Sequence, residues 1–289
     1  MKFLITVLTA VVLSITAVKL LPSGTTVTPV TDMQPAFTRV MQTRELRCAY
    51  FTWAPYLVQD PNTKQLSGLT YDIVEQVGRI LNLKIIWNEE VPIASLAENL
   101  ANGRNDMACN TLWPAGNRAP YFNFTQGIDF IPARAFVRAD DTRFDTDPGK
   151  LNSPEVTIPV LDGDYTKAIA DEDFPQAKQF ALNQDADGAQ LLLTVTTGKA
   201  DVIFVDPFVV AEFVKTNPNS LKLITNMPPV RTFGDAFALA KGEDKLRDTI
   251  NIALAQLTQS HYIAGRLDHY FGALKGQYYY PAQPFSPNP

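Results

Sequence analysis

From Glu45 onward the chain alternates short β-rich runs with helical patterns, and that alternation restricts it to an α/β architecture. Leu46 to Tyr50 reads as a strand, and Thr70 to Leu81 as a helix with Ile73, Val74, Val77, Ile80 and Leu81 on one face. Leu83 to Trp87, Ser95 to Asn102 and Asp106 to Asn110 follow as strand, helix and strand, completing a βαβαβ unit. A second unit opens near Ala133. In it Arg134 to Arg138, Thr157 to Leu161 and Asp201 to Val205 read as strands, and Tyr165 to Ala170, Gly188 to Thr197 and Pro207 to Lys215 as helices.

The units echo each other. Gly103-Arg104-Asn105-Asp106 leads into Met107-Ala108-Cys109, and Gly198-Lys199-Ala200-Asp201 leads into Val202-Ile203-Phe204. In each place a helix ends at a glycine suited to a left-handed cap, and an Asp opens a buried strand. Two similar α/β lobes are the expectation. A third stretch, Ala236 to Lys241 as a strand and Lys245 to Thr258 as an amphipathic helix, makes no lobe of its own and must pack on one already built. The tail Gln277 to Pro289 has no periodicity and is expected to run along the surface.

The N-terminus differs from the rest. Lys2 precedes an uncharged, largely apolar run from Phe3 to Val18, followed by Lys19 and Leu21-Pro22-Ser23-Gly24, the layout of an export signal. The run is short beside the roughly 20 residues of a membrane span, although no clean small-x-small cleavage site follows, which keeps an uncleaved anchor in view. Residues 1–24 are thus expected to be a signal peptide or anchor, and 25–36, rich in Thr and Pro, a tether. A net charge of −5 argues against a nucleic-acid partner. Cys48 and Cys109 fit no metal-binding spacing. Two buried thiols are the simplest reading, and a bridge requires neighbouring strands in an oxidising compartment.

The ordered set of segments resembles the solute-binding proteins of polar amino-acid ABC transporters. Trp53-Ala54-Pro55-Tyr56 follows the opening strand; Gly68-Leu69-Thr70-Tyr71-Asp72, Asn105-Asp106, Arg118, Tyr121-Phe122-Asn123-Phe124-Thr125, Val160-Leu161-Asp162-Gly163 and Gly198 to Asp206 come in the family's order from about Phe37 to Gly272. The resemblance implies a two-lobed periplasmic-binding-protein-like fold of type II, each lobe a mixed sheet flanked by helices. Residues 37–131 and 231–275 would form lobe 1, 132–230 lobe 2 and 276–289 a C-terminal tail, with hinges near Gln126 to Pro132 and Met227 to Thr232. It further implies a monomeric, exported, periplasmic protein without a cofactor that captures an amino acid or related zwitterion for a membrane permease.

Arg118 lies in the loop after a strand, where open α/β sheets bind ligands, and a guanidinium can meet a carboxylate with two parallel hydrogen bonds. The resemblance assigns the ligand's α-ammonium to Asp206, which otherwise reads as a helix cap before Pro207. It assigns stacking to Trp53 and side-chain selectivity to Tyr50. Thr111, Asp164 and Tyr165 complete the expected ligand-binding set. Asp72 reads as a structural acid at a helix start. Two positions depart from the family pattern. Ala115 stands where a Thr commonly helps hold the carboxylate, and Asp164 stands where a Ser or Thr commonly follows the glycine. Asp164 reads as an N-cap, as a contact for a cationic ligand group, or as the acid of an alternative enzyme resembling cyclohexadienyl dehydratase. A membrane-tethered sensory module is the other alternative.

Overall fold

The computed structural model describes residues 34–183 and 186–274. The expected signal or anchor segment and the C-terminal tail from 276 lie outside the described residues, as does nearly all of the expected tether.

The described chain opens with helix α1 (Ala36–Thr43), whose first residue the tether reading had claimed. This helix has no side-chain cap of its own. The Glu243 carboxylate supplies one from the far end of the chain, accepting from Ala36 N at 2.8 Å and Phe37 N at 3.3 Å. Strand β1 (Glu45–Tyr50), the hairpin β2 (Val58–Gln59) and β3 (Leu66–Ser67), and α2 (Leu69–Leu81) follow. Next come β4 (Lys84–Glu90), a 3-10 turn at Ile93–Ser95, α3 (Leu96–Ala101), β5 (Met107–Leu112) and β6 (Phe122–Phe124). Strand β7 (Asp129–Arg138) leads to β8 (Thr157–Val160), α4 (Tyr165–Glu172), β9 (Lys178–Ala181) and α5 (Gly188–Thr196). The chain continues with β10 (Val202–Val205), α6 (Pro207–Thr216) and β11 (Leu221–Leu223). It returns through β12 (Arg231–Ala240), α7 (Asp244–Gln259) and α8 (Tyr262–Phe271).

The main sheet runs β10-β7-β12-β5-β1-β4, with β6 beside β12 and β11 beside β7. β1 is parallel to both β4 and β5, and β12 is antiparallel to β5 and β7. The returning stretch therefore joins the N-terminal lobe, and α7 and α8 pack on α2. Asp72 on α2 accepts from Tyr270 Oη at 3.0 Å, which fixes that helix to α8.

The sequence echo is a repeated hydrogen-bond device. Asp106 N donates to Arg47 O at 2.9 Å while Arg47 N donates back to Asp106 Oδ2 at 2.7 Å. In the second lobe Asp201 N donates to Thr157 O at 2.8 Å and Thr157 N donates to Asp201 Oδ2 at 2.9 Å. The preceding glycines, Gly103 (φ 64°) and Gly198 (φ 76°), take the left-handed conformation that ends each helix. In both lobes one Asp thus locks the start of a returning strand to the start of the lobe's first parallel strand.

Cys48 and Cys109 form a disulfide, with Cα atoms 5.3 Å apart, replacing the simpler reading of two thiols. The cause is topological: β1 and β5 are neighbours, which separated runs of sequence do not reveal.

The lobes share two long strands. β7 and β12 pair antiparallel from Arg231 opposite Ala133 to Asp235 opposite Asp129. Beyond that crossing β7 continues against β10 and β11, and β12 against β5 and β6. The two segments expected to act as hinges run into the starts of these strands, at Asp129 and at Arg231.

Candidate functional site

Where the lobes face each other the cleft narrows to a cavity of about 40 Å³, room for about three water molecules. Its wall includes Phe51, Trp53, Tyr56, Ile93, Asn110, Thr111, Leu112, Trp113 and Arg118, together with Asp164, Tyr165, Asp206 and Asp235. A wider cavity of about 650 Å³ lies on the outer side of Trp53, between β2 and α6.

Arg118 arrives on the turn after β5 and is 6% exposed. Its Nη1 donates to Trp113 O at 2.8 Å, and its Nε donates to Gly163 O at 3.0 Å, joined there by Nη2. Gly163 belongs to the second lobe, so this guanidinium spans the cleft. Asp164 stands 4.0 Å from Nη2. Burial lowers the Arg118 pKa, and the Asp164 charge opposes that shift.

Asp164 caps α4, accepting from Thr166 N at 3.0 Å. Burial raises its pKa, while Arg118 and the helix N–H groups pull it down. Asp206 caps α6 with one oxygen, accepting from Phe208 N at 2.9 Å and Val209 N at 3.0 Å. Desolvation outweighs those bonds and pushes its pKa up to about 7.

The aromatic wall comes from three elements. Trp113 stacks on Phe233 of β12 at 4.4 Å and lies 3.8 Å from the Tyr165 ring at the start of α4. Trp53 closes on α5, where a Cβ at Gly188 would sit 3.1 Å from the indole. Tyr50 is not part of this wall. Its side chain points toward β4 and meets Trp87 edge-on at 6.0 Å, so the expected selectivity residue lies outside the cavity. Thr111 lies on the wall.

Asp235 and Trp113 are functional candidates that sequence reasoning missed. Asp235 sits opposite Asp129 at the strand crossing, and both carboxyls are buried. Neither Asp129 oxygen, nor Asp235 Oδ2, meets a donor in the protein. Burial and mutual repulsion raise the Asp129 pKa strongly; burial and the neighbouring Asp206 charge push Asp235 up to about 7. The pair can share one proton. Trp113 was legible as an aromatic beside a Pro-Ala-Gly turn, whereas no sequence signal distinguishes Asp235 from any other strand Asp.

Two α/β lobes, joined by a shared strand pair and closing on an aromatic cleft with one arginine and three carboxyls, define a ligand-binding protein of the two-lobed periplasmic type. The chain belongs to the bacterial extracellular solute-binding proteins, family 3, whose pattern matches residues 46–273. A probable amino-acid-binding protein, YxeM, of Bacillus subtilis strain 168 is 22% identical over 207 residues, covering 72% of this chain and 76% of its own. A probable amino-acid ABC transporter-binding protein of Haemophilus influenzae is 27% identical over 217 residues, covering 72% and 77%. Among solved structures, the ancestral amino-acid-binding protein AncCDT-1, a precursor of cyclohexadienyl dehydratase, superposes with a TM-score of 0.71 at 20% identity, over 82% of this chain and all (100%) of its own. Among the described residues no helix is long and apolar enough to cross a membrane, and no acidic, His or Cys cluster could hold a metal.

Proposed function

We propose that this protein captures an amino acid or related small zwitterion between its lobes and delivers it, as a monomer outside the cytoplasmic membrane, to an ABC-transporter permease. The observation that carries the reading is Arg118 on the first lobe and Asp206 on the second, buried on one cavity wall. A ligand carboxylate would replace the Gly163 and Trp113 carbonyls as acceptor for the guanidinium, and the α-ammonium would take up the buried charge of Asp206. Only a ligand bearing both groups engages both lobes, which links binding to closure. Residues 37–131 with 231–275, and 132–230, would move as the two bodies, flexing at the β7–β12 crossing. The 40 Å³ cavity supports such motion, since a ligand enters only when the lobes part. The names of the relatives support the amino-acid ligand and the transporter partner.

The test is calorimetric titration of ligand-free protein with an amino-acid panel, for wild type and Arg118→Ala. Wild type binds at least one member, and Arg118→Ala loses that binding while keeping its circular dichroism spectrum. Unchanged affinity in the variant would exclude Arg118 from the site. Prephenate and L-arogenate are expected to remain unconsumed by the purified protein; their turnover would replace the receptor reading with a dehydratase, with Asp206 or Asp164 as acid.

A further inference from the structure

The charges on the cavity wall do not balance. Arg118 and Asp164 face each other at 4.0 Å and offset one another, and the guanidinium is already bonded to the Gly163 and Trp113 carbonyls. Asp206 and Asp235 remain, both buried, and among the described residues neither has a Lys or Arg partner within ion-pair distance. A carboxyl in such a place either keeps a proton or pairs with a cation.

Tyr56 Oη is buried on the cavity wall without a hydrogen-bond partner, so the site holds a hydroxyl unmet by the protein. Asp129 lies behind Asp235, fully buried and off the wall. One proton shared by the pair leaves a single negative charge beside the cavity. Trp53 and Trp113 line the same cavity, and an aromatic lining favours a cation over an anion. The outer cavity is acidic as well, with Glu90, Asp187 and Glu212 against Lys64, which steers a cation inward.

We infer that the pocket selects a ligand carrying two cationic groups, one held at Asp206 and the second at Asp235, as in a basic amino acid or a linear diamine. This rests on the cleft being the binding site, as proposed above, and adds the substrate class and the residue that sets it. Asp235 is a specificity residue on the crossing strand, opposite Asp129 of β7.

Calorimetric titration tests this with L-lysine and L-ornithine, putrescine and cadaverine, and L-norleucine, which is a lysine lacking the second ammonium. Wild type is expected to bind a dicationic ligand about 30-fold or more tighter than norleucine. Asp235→Asn, isosteric and checked for folding by circular dichroism, loses about 30-fold or more for the dicationic ligand and less than about 3-fold for norleucine. Binding of lysine but not the diamines makes the ligand a basic amino acid. Binding of the diamines, unaffected by Arg118→Ala, upholds the dication and overturns the amino-acid reading. Norleucine binding as tightly as lysine overturns the inference and leaves the amino-acid receptor standing; no binding by folded protein to any of the five overturns the inference, and no binding to any member of the amino-acid panel overturns the receptor reading as well.

Discussion

Asp206 accepts the Phe208 and Val209 N–H groups with Oδ1 while its carboxyl lines the cleft, so capping and ligand binding meet in one side chain. The two roles separate by substitution. At pH 5, Asp206→Ala is expected to lose about 1 kcal/mol of stability through the cap, and Asp206→Asn less than half of that, since the amide oxygen still accepts. Both variants lose ligand binding. Urea unfolding followed by titration checks this, and an Asn variant with wild-type affinity would limit Asp206 to the cap. Arg118, Asp206 and Trp53 come together on one cavity wall, as their ordered places in the family pattern implied. Tyr50 lies off that wall, because the β1–β4 register shifts between Cys48 and Ala49 and the ring packs on Trp87. Of the readings the sequence left open for Asp164, the structure shows the N-cap of α4; its carboxyl also lines the cavity beside Arg118.

At the scale of elements, two contacts control how the parts hold together. The Cys48–Cys109 bond ties β1 to β5 across 61 residues of chain. Replacing both cysteines by Ala is expected to cost about 2–4 kcal/mol in urea unfolding, and a reducing agent to have the same effect on wild type. The start of α5 makes the second contact. Gly188 lies so close to Trp53 that a Cβ would approach the indole at 3.1 Å and Val209 Cγ1 at 3.2 Å. Gly188→Val should prop the lobes apart, weakening ligand affinity by about 10-fold or more and costing about 1–3 kcal/mol of unfolding stability through crowding against Trp53 and Val209. Small-angle scattering with saturating ligand checks the prop, which predicts a larger radius of gyration than ligand-bound wild type. The strands and helices themselves were largely legible, because apolar periodicity is local. α1, β6, β9 and β11 were not read, being short or lacking a complete apolar face. β9 is exposed throughout and exists only because β8 offers it a parallel edge.

For the whole molecule, the acids at the cleft and crossing set a pH dependence of definite sign. Asp206 and Asp235 have folded pKa values of about 7 against 3.8 for the free side chain, and Asp129 is raised further in the same direction. Between pH 4 and 7 the native state therefore binds more protons than the unfolded chain. Stability is full below about pH 4 for these groups and falls as pH rises through 7, by roughly 1.4 kcal/mol per pH unit for each carboxyl in its transition. The acids with lowered pKa values, Asp60, Asp141, Asp171 and Asp201, act below this window. Urea unfolding at pH 5 and pH 8 should show the lower stability at pH 8, and Asp235→Asn should flatten the difference; an equal or greater stability at pH 8 would refute the shared-proton arrangement. The sequence alone determined the two α/β lobes, their return strand and the ordered places of Arg118 and Asp206, because periodicity, glycine caps and motif order are carried along the chain. Only the tertiary structure decided that Cys48 reaches Cys109, that Arg118 spans to Gly163, and that Asp129 meets Asp235. Those pairs lie tens to more than a hundred residues apart, and desolvation at the lobe crossing, which gives the acids their character, exists only once the strands have come together.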